Sequence, residues 1–476
     1  MPRRPLHVTG APEGPLLTAL AALRDKLHVP AGFPPDVLAA ADEAAAHPVL
    51  PAEDATDIPF FTIDPPGSLD LDQAMHLSRQ GTGYRVRYAI ADVAAFVVPD
   101  GPLDREAHHR AVTLYFPDLR IPLHPPVLSE GAASLLPGQT RPAAVWTIDL
   151  DASGGTLAVD VRRALIRSKQ RLDYDSVQKK IDDGTAEEPL LLLKTIGLLR
   201  EQVEIARGGI SLRVPDQEIV EHDHTYELTY RAPLAADGWN AQLSLLTGMA
   251  AAELMLAHGT GVLRTQVPKP GKLEELHHTA DALHIDWPPH MSYAERVRTL
   301  DPSVPREAAF LQACTGLMRR ADYTVFRDGH LPPNPVHASV AAPYAHCTAP
   351  LRRLVDRYAT EICLAAVAGR EPPEWVLAAL DAVPARMKEG GERAGDIDGK
   401  CVDLVEAAVL KDRVGEIFEG VVVKQGNPPG TGTVQLESPA VVGPVTGITE
   451  TDVGRRLQVR LTRADMEVPT VSFALA

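Results

Sequence analysis

Three aspartates fall within nine residues in the stretch Thr62-Ile63-Asp64-Pro65-Pro66-Gly67-Ser68-Leu69-Asp70-Leu71-Asp72-Gln73. They follow Phe60-Phe61-Thr62-Ile63, an aromatic and β-branched run that predicts a buried strand. Pro-Pro-Gly then turns the chain back. Asp70 and Asp72 are two apart, so in extended chain they project to one face, and Asp64 can meet them across the turn. Three carboxylates drawn to one point repel each other unless a cation lies between them. An oxygen-only donor set of this kind suits Mg²⁺ or Mn²⁺. The spacing is not that of an EF-hand loop, which needs alternating acidic positions, a central glycine and a closing glutamate. A solvated acidic loop in which Asp64 starts the turn accounts for the same residues.

A second stretch with chemistry in it is Tyr344-Ala-His-Cys-Thr348-Ala-Pro350-Leu-Arg352-Arg353-Leu-Val-Asp356-Arg357. The spacing predicts an amphipathic helix over 351–369, with Leu351, Leu354, Val355, Tyr358 and Ile362 on one apolar face. Thr348 suits its cap and Pro350 its first turn. Arg352 and Arg353 would then lie beside free backbone N–H groups at a helix N-terminus, an arrangement that binds anions. An ion pair of either arginine with Asp356 is the structural alternative. Arg162, Arg163, Arg167, Lys169 and Arg171 form the most basic segment, readable as a phosphate-contacting stripe or as a solvated strand edge.

These residues need elements to hold them. Residues 15–27 and 35–46 read as two helices, forming a small module at 1–55 of helix-turn-helix type or an extension packed on the main domain. From 56 to about 160 the chain reads as strands, including 84–98 and a pair at 146–162 around Gly154-Gly155. Helices follow at 186–208 and 239–257. The last stretch carries EIFEGVVVKQ, GTVQLES, VVGPVTG and RRLQVRLTRA, short strands between Gly/Pro turns, which predict a five-stranded barrel of the OB type. The fold class is therefore α+β. A helical module covers 1–55, a mixed catalytic domain 56–395, and a linker helix with an OB-type barrel 396–476.

The chain has 476 residues, too many for one ordinary core. No apolar run is long enough to span a membrane, and no secretory signal follows the basic start. Cys314, Cys347, Cys363 and Cys401 form no CxxC pair, so reduced thiols in a cytoplasm fit best. A net charge of −16 argues against a surface that coats nucleic acid broadly, though not against a locally basic channel.

Together, the aspartate and arginine stretches resemble those of the ribonuclease II (RNB) family. In that family an Ile-Asp is followed six, eight and nine residues later by metal-binding aspartates; Asp64, Asp70 and Asp72 match, and Gln73 stands where the fourth is usual. Tyr88-Ala-Ile-Ala-Asp92-Val, Thr113-Leu-Tyr115-Phe-Pro117 and Ile121-Pro-Leu-His-Pro-Pro126 resemble the following strands and loops. The 402–420 stretch resembles the helix that leads into a terminal S1-type barrel.

The resemblance implies a Mg²⁺- or Mn²⁺-dependent exoribonuclease. It would remove 5′-nucleoside monophosphates from single-stranded RNA 3′ ends as a monomer, with two cations about 3.5–4 Å apart. Asp64, Asp70 and Gln73 would hold metal, and Asp72, also a ligand, would lie closest to the attacking water. Arg352 would hold the reacting phosphate with Arg353 as its neighbour. Tyr115 would stack on a terminal base and Tyr174 would be a second active-site tyrosine. The chain departs from the pattern at Gln73, at Ala241-Gln242 where the family has glutamates, and in having no room for two cold-shock barrels in its first 55 residues. An RNA-binding protein of the same fold with weakened catalysis, and a metal phosphoesterase acting on DNA or small nucleotides, are the competing readings.

Overall fold

The computed structural model describes all residues except 1–7, 10–13, 31, 213–215, 223–224, 232, 268–270, 302–303, 315–320, 437 and 440. Five strands close into a barrel: β1 (Phe60–Ile63), β2 (Gln73–Gln80), β3 (Gly83–Ala91), β4 (Thr140–Leu150) and β5 (Thr156–Leu172). Neighbours are antiparallel except β5 and β1, whose parallel pairing closes the ring. Register places Phe61 beside Met75, Met75 beside Tyr88, Tyr88 beside Trp146 and Trp146 beside Val161. One residue per strand thus forms a buried layer in the larger hydrophobic core. The alternate positions Phe60, Ala74, Ala89 and Val145 belong to a second core on the other face. Phe60–Ile63 is buried on both faces and reads as an unbroken run, whereas β5 leaves Arg162, Arg167 and Lys169 exposed and alternates instead.

The covering elements are helical. Helices α1 (Pro15–Lys26) and α2 (Pro35–Ala46) form where the sequence predicts them, with Leu16, Leu20 and Leu23 of α1 and Val37 and Ala41 of α2 turned inward. Helix α3 (Pro102–Arg110) packs against α2. Helix α4 (Tyr174–Asp182) follows β5, and α5 (Glu188–Arg207) packs on α6 (Ala235–His258). A hairpin, Asp216–His222 with Thr225–Arg231, precedes α6 and was not legible in the sequence. Helix α7 spans Leu354–Val367 and α8 runs unbroken over Val383–Leu410, across position 395. Among the described residues no helix is long and apolar enough to cross a membrane, and all four cysteines are buried and outside any disulfide.

The C-terminal strands form the expected second barrel. Strands β6 (Ile417–Gln425), β7 (Thr431–Leu436), β8 (Val442–Thr446), β9 (Arg456–Asp465) and β10 (Thr470–Leu475) close in the order β6-β7-β8-β10-β9. Phe418, Val422, Val434, Val445, Val459, Leu461 and Phe473 fill it. Glu406 of α8, 2% exposed, accepts from the Val442 N–H at 3.1 Å and ties the helix to this barrel.

Two glycines let backbone meet helix. A Cβ at Gly248 of α6 would lie 2.2 Å from Tyr344 Cε2 and 2.6 Å from Ala345 O, while Gly248 O accepts the Ala345 N–H at 3.0 Å. A Cβ at Gly390 of α8 would come within 2.8 Å of Ala111 Cβ. Because neighbours at Gly248 are backbone and a packed ring, Gly248→Ala is expected to destabilise the protein by about 1–3 kcal/mol through overpacking. Urea unfolding measures this, and a wild-type midpoint would contradict it.

Candidate active site

The aspartate stretch is fixed by its turn and by one serine. Pro65 to Ser68 form a β-turn closed by Ser68 N–H to Pro65 O at 3.2 Å, with Gly67 at φ +80°. Pro66 then Gly67 is the pair a type II turn requires. Asp64 itself extends β1, its N–H donating to Leu172 O at 3.1 Å. Buried Ser134 donates to Leu69 O at 2.6 Å and accepts from Leu71 N–H at 2.9 Å. Leu71 is fully buried, and its neighbours Asp70 and Asp72 differ: Asp70 is half-buried and Asp72 is 4% exposed.

Asp72 reaches the arginine stretch. Its Oδ1 accepts the Leu351 N–H at 2.8 Å, and its Oδ2 lies 3.5 Å from Arg352 Nε. The fully buried Asp356 does the same from the other side, accepting the Ala349 N–H at 2.7 Å and both Nε and Nη2 of Arg353 at 2.8 and 2.6 Å. Thr348 O accepts from Gln73 Nε2 at 2.6 Å, and Thr348 Oγ1 shares a 2.9 Å bond with Ser244 Oγ. The stretch is therefore a turn and not the start of a helix. Helix α7 begins at Leu354 with Arg353 in the N-cap position, so the cap expected at Thr348 is not formed. Pro350 has no part in a first turn; the carboxylates, not a helix dipole, organise the loop. The two arginines separate. Arg353 is consumed by Asp356, while Arg352 keeps 43% of its side chain exposed beside Asp72.

Asp64 has one buried oxygen, Oδ2, with no hydrogen-bond partner. Burial raises its carboxyl to about 7 against the pull of Arg352, and the nearby Asp70 charge adds to the rise. Burial also raises Asp72 to about 7, opposed by Arg352 and by the Leu351 N–H. Asp70 is turned to Arg120, which also holds Glu130 at 3.0 Å. As they stand, no three acidic, histidine or cysteine side chains are gathered as a cation cage among the described residues. The expected convergence of three carboxylates is thus incomplete: Arg120 holds Asp70 aside. The donor chemistry still fits a hard divalent cation. Asp64 offers an unpartnered buried oxygen, and Asp64 and Asp72 carry charge that burial disfavours and a cation would restore. Gln73 differs, since Tyr88 OH donates to its Oε1 at 2.5 Å while its Nε2 is bonded to Thr348 O.

Both tyrosines border these groups. Tyr115 is half-buried on a two-residue strand, paired with Arg120, and near enough to bear on the Arg352 charge. Tyr174 opens α4, where Asp173 caps the helix by accepting Ser176 N–H at 2.8 Å. Its hydroxyl accepts from Asn240 Nδ2 at 2.9 Å, and burial, with Asp64 nearby, pushes it above the usual phenol range. The basic segment does not form one stripe. Arg163 is engaged by Asp92 at 2.7 Å and by Glu361, Arg162 pairs with Asp160, and Arg171 donates to Ser68 O at the aspartate turn. Gln242 donates to buried Glu204 at 2.5 Å. Sequence reading missed Arg120, Asn240, Ser134 and Ser244. Arg120 lies close in sequence to Tyr115, which the structure pairs with it, and Asn240 directly precedes Ala241-Gln242; Ser134 and Ser244 carry no signal of their own.

Known proteins share this arrangement of domains. A family model, the RNB domain, matches residues 52–368, and the RNase II-type exonuclease C-terminal S1 domain matches residues 416–476. Ribonuclease R of Aquifex aeolicus is 25% identical over 447 residues, 88% of this chain and 61% of that protein. The exosome complex exonuclease dis3 of Schizosaccharomyces pombe is 29% identical over 334 residues, 66% of this chain and 34% of that protein. The chain thus spans between a third and three-fifths of the length of these relatives. The structure of Mycoplasma genitalium RNase R in complex with ribose methylated single-stranded RNA superposes with a TM-score of 0.83 at 20% identity, covering 97% of this chain and 78% of that one.

Two outcomes follow from the geometry. Asp356→Ala strands the Arg353 charge and the Ala349 N–H, and is expected to cost about 3–5 kcal/mol in urea unfolding; an unchanged stability would show the pair to be dispensable. Asp64 and Asp72 have folded values of about 7 against 3.8 ordinarily. Between those values the metal-free folded state retains protons that the unfolded chain releases, so folding weakens as pH rises from about 4 to 7. Mg²⁺ is therefore expected to raise the melting temperature more at pH 8, where both are ionised, than at pH 5.5. An equal or reversed effect would count against these carboxylates as cation ligands.

Proposed function

This chain belongs to the RNB-domain exoribonuclease family, and we propose that it hydrolyses single-stranded RNA from the 3′ end, releasing 5′-nucleoside monophosphates. The observation that carries the reading is the junction of Asp72 with the arginine turn. It sets an exposed guanidinium, Arg352, beside two carboxyls, Asp64 and Asp72, that burial leaves short of compensating charge.

The reaction breaks the bond between phosphorus and the 3′ oxygen of the penultimate nucleotide; water adds hydroxyl to phosphorus, and the departing nucleotide keeps its 5′ phosphate. Asp64, Asp70 and Asp72 would hold a divalent cation, Asp70 after leaving Arg120. When bound, such an ion supplies Lewis acidity and makes water a stronger nucleophile. Asp72, fixed at Oδ1 by Leu351 N–H, would use Oδ2, which lies 3.5 Å from Arg352 Nε, to orient a water and take its proton. Arg352 donates to the phosphate oxygens, where charge builds as the water attacks. Tyr115 offers a ring on which a terminal base can stack, a contact worth about 1–3 kcal/mol and indifferent to sequence. Tyr174, held by Asn240, lines the side of Asp64.

A second reading, an RNA-binding protein with weakened catalysis, is favoured by Gln73, whose amide oxygen is already engaged. A 5′-labelled RNA of about 30 nucleotides, incubated with Mg²⁺, Mn²⁺ or EDTA, separates the two. Stepwise shortening with mononucleotide release, abolished by EDTA, is the expected result. Intact RNA under both metals, with RNA still bound, would replace it by the second reading. Asp72→Asn is expected to abolish turnover while RNA is still bound. Arg352→Ala should lower kcat by roughly 10²–10³. Wild-type kcat in either variant would remove that residue from the proposed chemistry.

A further inference from the structure

We infer that Gln73 is a positioning residue that clamps the aspartate strand to the arginine turn, and not a cation ligand. Gln73 is the first residue of β2, directly after Asp72, and both ends of its amide are used. Its Nε2 donates to Thr348 O at 2.6 Å and its Oε1 accepts from Tyr88 OH at 2.5 Å. The orientation is forced by chemistry: a backbone carbonyl can only accept, so the nitrogen must face Thr348, and the oxygen is left to the phenol. Thr348 is 3% exposed and Tyr88 is fully buried. Swinging Oε1 toward a cation would leave a buried carbonyl and a buried hydroxyl without partners, and burying unpaired polar groups is unfavourable.

The clamp has a direction. Tyr88 belongs to the buried layer of the first barrel, next in register to Trp146. Gln73 therefore joins the barrel wall to the turn that presents Arg352, one residue from the carboxylate that holds the same turn at Leu351. A glutamine does this and a carboxylate does not. An anionic oxygen facing Thr348 O would replace the donated hydrogen bond by repulsion between two acceptors. The fourth acidic position of the aspartate motif has become a fastener, and the oxygens left for a cation are those of Asp64, Asp70 and Asp72. This inference rests on the reading of those three as cation-holding.

Glutamate is the better ligand and the worse clamp, so Gln73→Glu separates the two roles by sign. Mn²⁺ binding to the full chain is measured by the free-ion electron spin resonance signal, beside thermal melting and kcat and KM on labelled RNA. The clamp gives Gln73→Glu the wild-type number of Mn²⁺ ions, with affinity within about twofold. It also gives a lower Tm and a kcat reduced roughly tenfold or more by displacement of Arg352, with KM little changed. An added Mn²⁺, or Mn²⁺ bound tenfold tighter with kcat retained, overturns it. Should Gln73→Glu fail to fold, Tyr88→Phe carries the test: unchanged Mn²⁺ binding with reduced kcat supports the clamp, and tighter Mn²⁺ with kcat retained overturns it. If the wild-type chain hydrolyses no RNA, the Mn²⁺ titrations and melting temperatures still decide the role of Gln73, and only the hydrolytic reading falls.

Discussion

Two buried carboxylates, Asp72 and Asp356, take the N–H groups of Leu351 and Ala349, and the rest of the site depends on that pair. The turn they hold has only its own Ala349 carbonyl bonds and a single bridge to Val112 for its backbone, so the Leu351 and Ala349 N–H groups need these carboxylates as partners. Asp72 comes from the end of the barrel's aspartate stretch and Asp356 from the first turn of α7, so the turn is pinned between two elements that pack into the same large core. Arg353 neutralises Asp356 and disappears into the structure. Arg352, one residue earlier, is left projecting. The same two bonds therefore create an inert arginine and an available one from adjacent positions.

The turn is also stitched along its far edge. Thr113 N–H donates to Arg352 O at 3.0 Å, and Leu354 N–H donates to Ala111 O at 2.9 Å. Ala111, at φ +60°, is held in a conformation that a residue with a side chain seldom adopts. Such a conformation persists where surrounding contacts over-determine it, and here α3, α8 and the arginine turn all converge. The overall charge of −16 has little bearing on this neighbourhood. What matters locally is that two guanidiniums, Arg352 and Arg120, face four carboxyls, Asp64, Asp70, Asp72 and Glu130, so the neighbourhood is left short of positive charge.

Much of the fold was legible because its signals are local. The apolar spacing of residues 15–27, with Leu16, Leu20 and Leu23 turned inward, and the Gly/Pro punctuation of the last strands each announce an element without help from the rest of the chain. The closure of the first barrel was not legible, since it depends on parallel pairing of Phe60–Ile63 with the distant end of β5, and periodicity carries no record of register. At the site, residue types were informative and partners were not. The chain text marks Asp72 and Arg352 as chemically unusual, but it gives no sign that Asp72 would spend one oxygen on a backbone amide, nor that Arg120 would draw Asp70 away. The expected helix start at Thr348 failed for the same reason. Capping residues were present, but tertiary bonds from Gln73, Ser244 and Asp72 claimed the segment first.

Helix α8 links events that the domain boundaries would keep apart. It is one rod from Val383 to Leu410, with Gly390 pressed on Ala111 at one end and Glu406 fastened to Val442 of the second barrel at the other. No loop interrupts it where slack could be taken up. Through it the terminal barrel is joined to Ala111, whose carbonyl accepts the Leu354 N–H at the end of the arginine turn. The second barrel is thus clasped by a helix that runs on without a break to the segment bordering the site, so the two barrels share one stiff strut between them.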